Sequence, residues 1–132
     1  MILGIGIDAI EIKRFNDWYT HAHKELQKIF SDEEINYCLE SHTKSAERFA
    51  ARFAAREALF KALGSYKPDH AIPFLTLCKK TKLIRNQNGI TSIELDWKYI
   101  KNEINLNPCA IFVSFTHTKN LAIASVILDK NN

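Results

Sequence analysis

The order of hydrophobic periods predicts an α+β fold: one small domain, residues 1–132, with a largely antiparallel sheet packed against a long helix. Three observations carry that prediction. The chain opens on an apolar stretch that alternates with small and acidic residues, Ile2 to Ile10, as a strand does. A helical period then runs from about Thr43 to Leu63. Beyond Pro73 the period falls to two and hairpin signals appear.

Residues 2–10 form the first strand. From Glu11 to Ile29, the apolar residues Ile12, Phe15, Trp18, Tyr19, Leu26 and Ile29 recur among charged ones, which predicts one or two amphipathic helices. Ser31-Asp32-Glu33-Glu34 is a capping box, in which the serine and the glutamate satisfy each other's end of the first turn, and it opens a helix through about Glu40. The long helix carries Phe49, Phe53 and Phe60 within about 40° of one another as its buried stripe. Gly64 stands where a C-terminal cap belongs. Pro68 and Pro73 bracket a loop. Phe74 to Lys80 and Lys82 to Asn86 read as strand, Asn88-Gly89 as a hairpin turn and Ile90 to Leu95 as its return. Asp96 to Asn105 reads as a short capped helix. Ala110 to His117 and Leu121 to Leu128 form a second hairpin around Lys119-Asn120.

No apolar run approaches the roughly 18 residues of a membrane span. The N-terminal stretch has neither a basic region before it nor a small-residue cleavage site, so it is no secretory signal. Together these predict a cytoplasmic protein with no membrane partner. Cys38, Cys78 and Cys109 are odd in number and far apart, a pattern of reduced thiols and not of a disulfide or zinc framework. The net charge of +3 is mild but uneven. Basic residues gather in Lys13 to Lys28 and in Arg48 to Lys61, which suits an anionic ligand or an acidic partner and falls short of a nucleic-acid-binding stripe.

Asp8 is the residue that calls for explanation. A carboxylate in an apolar strand requires a partner, and a metal ion or a cationic side chain would serve. Glycines at 4 and 6 leave room for a close approach. On the long helix, Glu57 lies at the edge of the buried stripe with Lys61 one turn on, either as an ordinary surface pair or as part of a site. Arg48, Arg52 and Arg56 repeat every four residues, either as a solvated face balanced by Glu47 or as a ridge that holds phosphate. Two carboxylates with several cations are what a magnesium-bound phosphate ester requires. His117, at the end of a strand beside Thr116 and Thr118, could touch that phosphate or simply close a hairpin. His21 and His23 point to different faces and make no joint metal site. The run Gly4-Ile5-Gly6-Ile7-Asp8-Ala9 matches the loose glycine pattern of a dinucleotide fold. That reading fails because three residues are too few for the preceding strand and Asp8 would repel a bare pyrophosphate.

Three segments resemble the holo-acyl-carrier-protein synthases, the small phosphopantetheinyl transferases: Gly4-Ile5-Gly6-Ile7-Asp8 with Glu11 to Arg14, Arg52 through Gly64, and Val113-Ser114-Phe115-Thr116-His117-Thr118. Order, spacing and length all agree, and the resemblance covers essentially the whole chain. It implies the phosphopantetheinyl transferase fold and transfer of 4′-phosphopantetheine from coenzyme A to a serine of apo acyl carrier protein, in fatty acid biosynthesis. It further implies that Asp8 and Glu57 bind magnesium with the coenzyme diphosphate, that Lys61 lies by the reacting phosphate, and that Arg52 and His117 bind coenzyme A. Arg14, Lys24 and Lys28 would receive the acidic carrier protein, and the assembly would be a homotrimer with sites between subunits. This chain departs from the pattern in carrying Arg56 where many members have lysine, Thr116 for a serine, and the bulky Ser65-Tyr66-Lys67-Pro68 after Gly64. The rival readings are a basic nucleic-acid-binding module without catalysis and another magnesium-dependent phosphotransferase.

Overall fold

The computed structural model describes residues 1–131. Strand β1 (Ile2–Glu11) leads into two 3-10 turns (Ile12–Phe15 and Trp18–Thr20) and the one-turn helix α1 (His23–Leu26). Helices α2 (Asp32–Leu39), α3 (Ser45–Tyr66) and α4 (Phe74–Lys79) follow. The hairpin β2 (Thr81–Arg85) and β3 (Thr91–Leu95), helix α5 (Trp97–Ile104), and the hairpin β4 (Ala110–His117) and β5 (Leu121–Asp129) complete the chain. β5 is central in an antiparallel sheet of order β1-β5-β4, and β2 pairs with β3 in a separate antiparallel ribbon. The α+β class and the dominance of antiparallel pairing are as the sequence predicts.

The core lies between the three-stranded sheet and α3. β5 buries every second residue, Ala122, Ala124, Val126 and Leu128, and β1 turns Gly4, Gly6 and Ile10 the same way. α3 meets them with a face of small residues, Ala50, Ala54, Ala58 and Ala62, flanked by Leu59 and Leu63. A Cβ added at Gly4 or Gly6 would overlap the carbonyl oxygen of Ala62 or Ala58, so helix and strand touch backbone to backbone there. That contact fixes the depth at which Asp8, on the same face of β1, meets α3. Phe15 and Trp18, in the 3-10 turns, join Phe30, Phe49 and Phe53 in an aromatic cluster at the other end of α3, with Trp18 at 4.5 to 6.4 Å from each ring centroid.

Four sequence expectations are corrected. The segment from Glu11 to Ile29 forms 3-10 turns and a single helical turn instead of amphipathic helices. Polar side chains compete with the backbone there: Thr20 Oγ1 donates to the Asp17 carbonyl at 2.6 Å. Phe74 to Lys80 is helical and not a strand. A short apolar run fits either period, and tertiary packing decides it: Leu77 and Cys78 follow Phe74 at helical spacing into the core, while Phe74 stacks on Phe53 and Phe60. Gly64 lies inside α3, which continues to Tyr66 and stops where Lys67 must turn extended before Pro68. Phe53 and Phe60 are only half-buried, because the alanines take the face against the sheet. The other elements form as expected. Ser31 caps α2 through the Glu34 amide, and Asp96 caps α5, which Asn105 closes in the left-handed region.

Candidate active site

The close helix–strand contact brings Asp8 to the Glu57–Lys61 turn of α3. Lys61 Nζ donates to Asp8 Oδ1 at 3.2 Å and to the Ile7 carbonyl at 3.0 Å, so lysine bonds across to β1 and not to Glu57. The Asp8 side chain keeps 17% of its exposure and Lys61 keeps 53%, so the pair is open to solvent on one side. Glu57 is half-buried, and its carboxyl is held above the ordinary glutamate range, first by burial and then by the charge of Asp8. Lys61 and Arg14 oppose that shift. Two carboxylates thus lie within each other's field, and the Lys61 and Arg14 charges do not fully offset their repulsion. A divalent cation is the kind of ligand such a pair suits.

Arg52 and His117 do not join this corner. Asp8 lies on one edge strand of the sheet, and His117 lies on the other. Both of the predicted phosphate ligands line a second recess of about 160 Å³ between α2, α3, β4 and the β2–β3 hairpin, with Tyr37, Arg48, Arg85 and Phe115. The guanidinium carbons of Arg48, Arg52 and Arg85 lie 4.0, 4.5 and 5.0 Å from the centroid of the Tyr37 ring. Arg48 Nη1 donates to the Tyr37 carbonyl at 2.7 Å. Arg52 is 7% exposed, and its Nε is among the few buried side-chain polar atoms without a hydrogen-bond partner in the described residues. Burial pulls the Arg52 guanidinium below its ordinary pKa. His117 Nε2 lies 3.1 Å from Glu47 Oε1, the acid at the rim of the recess. Three arginines gathered on one ring, one with an unused donor, are groups suited to an anion.

Arg56 leaves the proposed ridge. Its guanidinium is fully buried and bonds both oxygens of Glu34 at 2.8 Å, the Thr81 carbonyl at 3.0 Å and the Cys78 carbonyl at 3.5 Å. Helical spacing alone cannot separate Arg56 from Arg48 and Arg52, because the residue that claims it comes from another helix. Glu34 was masked in turn by its capping-box role, which the structure also shows. Tyr37 and Arg85 carry no local signal. They become site residues only when α2 and the hairpin close over α3.

Arg14, Lys24 and Lys28 are exposed, as a docking surface requires. Arg14 extends over the Phe15 and Phe53 rings at 6.0 and 5.9 Å, and Lys28 is paired with Glu25 at 3.1 Å. Among the described residues no group of three His, Cys, Asp or Glu converges to hold a metal by protein ligands alone. No helix among them is long and apolar enough to cross a membrane.

Carboxylates at one corner of an antiparallel α+β domain and arginines in a separate recess are the residue types with which enzymes transfer phosphate-ester groups. The family model of the 4′-phosphopantetheinyl transferase superfamily matches residues 4–124, and the chain belongs to that family. A holo-[acyl-carrier-protein] synthase of Treponema denticola is 33% identical over 129 residues, which cover 98% of this chain and 99% of the relative. The crystal structure of a holo-(acyl-carrier-protein) synthase from Bacillus anthracis, in complex with CoA (3′,5′-ADP), superposes with a TM-score of 0.75 at 26% identity, covering 99% of each chain. That of the Helicobacter pylori holo-[acyl-carrier-protein] synthase, in complex with coenzyme A, gives 0.70 at 26% identity, covering 95% of this chain and 99% of the other.

Proposed function

We propose that this chain transfers the 4′-phosphopantetheine group of coenzyme A to a serine of apo acyl carrier protein. The serine oxygen forms a bond to the phosphorus next to pantetheine, the anhydride bond of the diphosphate breaks, and adenosine 3′,5′-bisphosphate leaves while the serine gives up its proton. The observation that carries this reading is the corner where Asp8 bonds Lys61 and its charge acts on Glu57, in a chain of this family.

Mg²⁺ fits this donor set. Magnesium is held by one or two carboxylates, with substrate phosphates and water completing the octahedron, and Asp8 and Glu57 supply two. When bound, it would draw charge from the diphosphate as the leaving group departs. Lys61 is placed to exchange its bond to Asp8 for one to the transferring phosphoryl group. Arg52 and His117, with Arg48 and Arg85 beside them, would hold a phosphate of coenzyme A and orient the donor. Arg14, Lys24 and Lys28 would speed the arrival of an acidic carrier protein, with Arg14 at the border of the carboxylate corner.

The reading includes a homotrimer. The outer face of the β1-β5-β4 sheet leaves Ile5, Ile7 and Phe112 57–61% exposed beside Ile123 and Ile127, an apolar surface that none of the described residues covers. The carboxylate corner and the arginine recess lie on opposite edges of that sheet, so copies packed face to face could complete a site that one chain leaves in two halves. Three free cysteines suit the reducing cytoplasm. The test is incubation with coenzyme A, Mg²⁺ and an apo carrier protein, read by intact mass. One added phosphopantetheine is expected, and no mass gain across several carrier proteins would sink the proposal.

A further inference from the structure

The two carboxylates of the active corner repel, and something must keep α3 from turning to separate them. Asp8 is tethered to Lys61, but Glu57 makes no side-chain hydrogen bond in the described residues, and its position follows the azimuth of the helix. The residue before it, Arg56, is the most constrained side chain on α3. It bonds both Glu34 oxygens, the carbonyls of Thr81 and Cys78, and the Arg52 carbonyl one turn back at 3.4 Å, and it lies 5.2 Å from the Phe30 ring. Glu34 is fixed in turn, accepting from the Leu83 amide at 2.8 Å and from Ser31 Oγ at 3.1 Å. The clamp therefore joins α3 to α2, to the end of α4 and to β2, on the side of the helix away from Asp8.

We propose that Arg56, held by Glu34, is a positioning residue for Glu57: it fixes the rotation of α3 that keeps Glu57 near Asp8, and so sets the affinity of the corner for a divalent cation. The forked guanidinium is essential to this role. A lysine ammonium would keep the charge, but it cannot bond two carboxylate oxygens and two carbonyls in one plane. An apolar pair of similar volume would fill the space and hold the fold, without the directional bonds that oppose rotation. The inference rests on the reading of Asp8 and Glu57 as cation ligands.

The experiment measures Mn²⁺ affinity by electron paramagnetic resonance, with coenzyme A present and no carrier protein, alongside thermal unfolding. Wild type is compared with Arg56→Lys and with the double variant Glu34→Leu/Arg56→Met. The expected result is a Tm restored to near wild type in the double variant, while both variants bind Mn²⁺ about tenfold more weakly, the scale on which supporting contacts tune metal sites. Wild-type Mn²⁺ affinity in the stable double variant, or affinity that simply tracks Tm across the three proteins, would overturn the positioning role alone. Wild-type protein that binds no Mn²⁺ would overturn the cation reading, and this inference with it.

Discussion

Helix α3 carries two carboxylate–cation pairs that differ in every respect but their chemistry. Glu34–Arg56 is sealed: both side chains are almost wholly inaccessible, and each carboxylate oxygen accepts from the guanidinium. Asp8–Lys61 is half open, joined by one side-chain bond, with a second carboxylate beside it that has no hydrogen bond of its own. The first pair has nothing further to gain from a ligand. The second gains from any cation that enters. A saturated pair belongs to the fold, and an under-saturated one on the same helix is the candidate for chemistry.

The sharpest way to break that contrast is to empty each pair in turn. Glu34→Ala leaves Arg56 buried without its counter-ion and is expected to cost about 3–5 kcal/mol in denaturant unfolding. A loss no larger than that of a surface variant would mean the sealed pair is not structural.

Glu57→Gln should do the reverse, removing transfer while sparing the fold. Burial and Asp8 hold the Glu57 carboxyl above its ordinary pKa, so the folded chain keeps that proton to higher pH than the unfolded chain does. The resulting penalty is absent below the ordinary glutamate value, grows across the window up to the raised one, and stays in full above it, so stability declines as pH rises through that window. Glutamine should therefore match wild type in acid and raise Tm slightly at neutral pH. Transfer should fall by at least about 10²-fold. Because a cation needs the carboxylate ionised, Mn²⁺ affinity of the wild type should also fall with acidity at a higher pH than for an ordinary glutamate.

The smallest expected effect probes the same packing from the thiols. Burial pushes Cys38 and Cys78 up to about 12, whereas Cys109 is only partly buried and raised less. An aromatic disulfide reagent should modify Cys109 alone in the native protein, and all three after Glu34→Ala loosens the α2–α3 contact. Equal reaction at all three in wild type would show that this region opens readily.

Most of the fold, and the meeting of Asp8 with the Lys61 turn of α3, were legible in the sequence because their signals are local. The capping box at Ser31, the hairpin at Asn88-Gly89 and the glycines before Asp8 each carry their meaning within a few residues. Asp8, Glu57 and Lys61 stand out as candidates because a charge in an apolar strand and a charge on an amphipathic edge are both visible in one dimension. The arginines were not separable in this way. Arg48, Arg52 and Arg56 share one spacing, yet two turn to Tyr37 and the third to Glu34, a choice made by helix α2 and invisible in α3. The helix at Phe74 to Lys79 failed for the same reason, since only its partners Phe53 and Phe60 decide between two periods.

Trp18 gives the molecule an optical consequence. It sits among Phe15, Phe30, Phe49 and Phe53, in the stretch between Arg14 and Lys24 proposed above as the carrier-docking surface. The chain has only one other tryptophan, Trp97, at the start of α5. With Trp97→Phe in place, emission from a single indole would report a carrier that docks on this segment without a dye, and emission unmoved by a carrier would count against docking there.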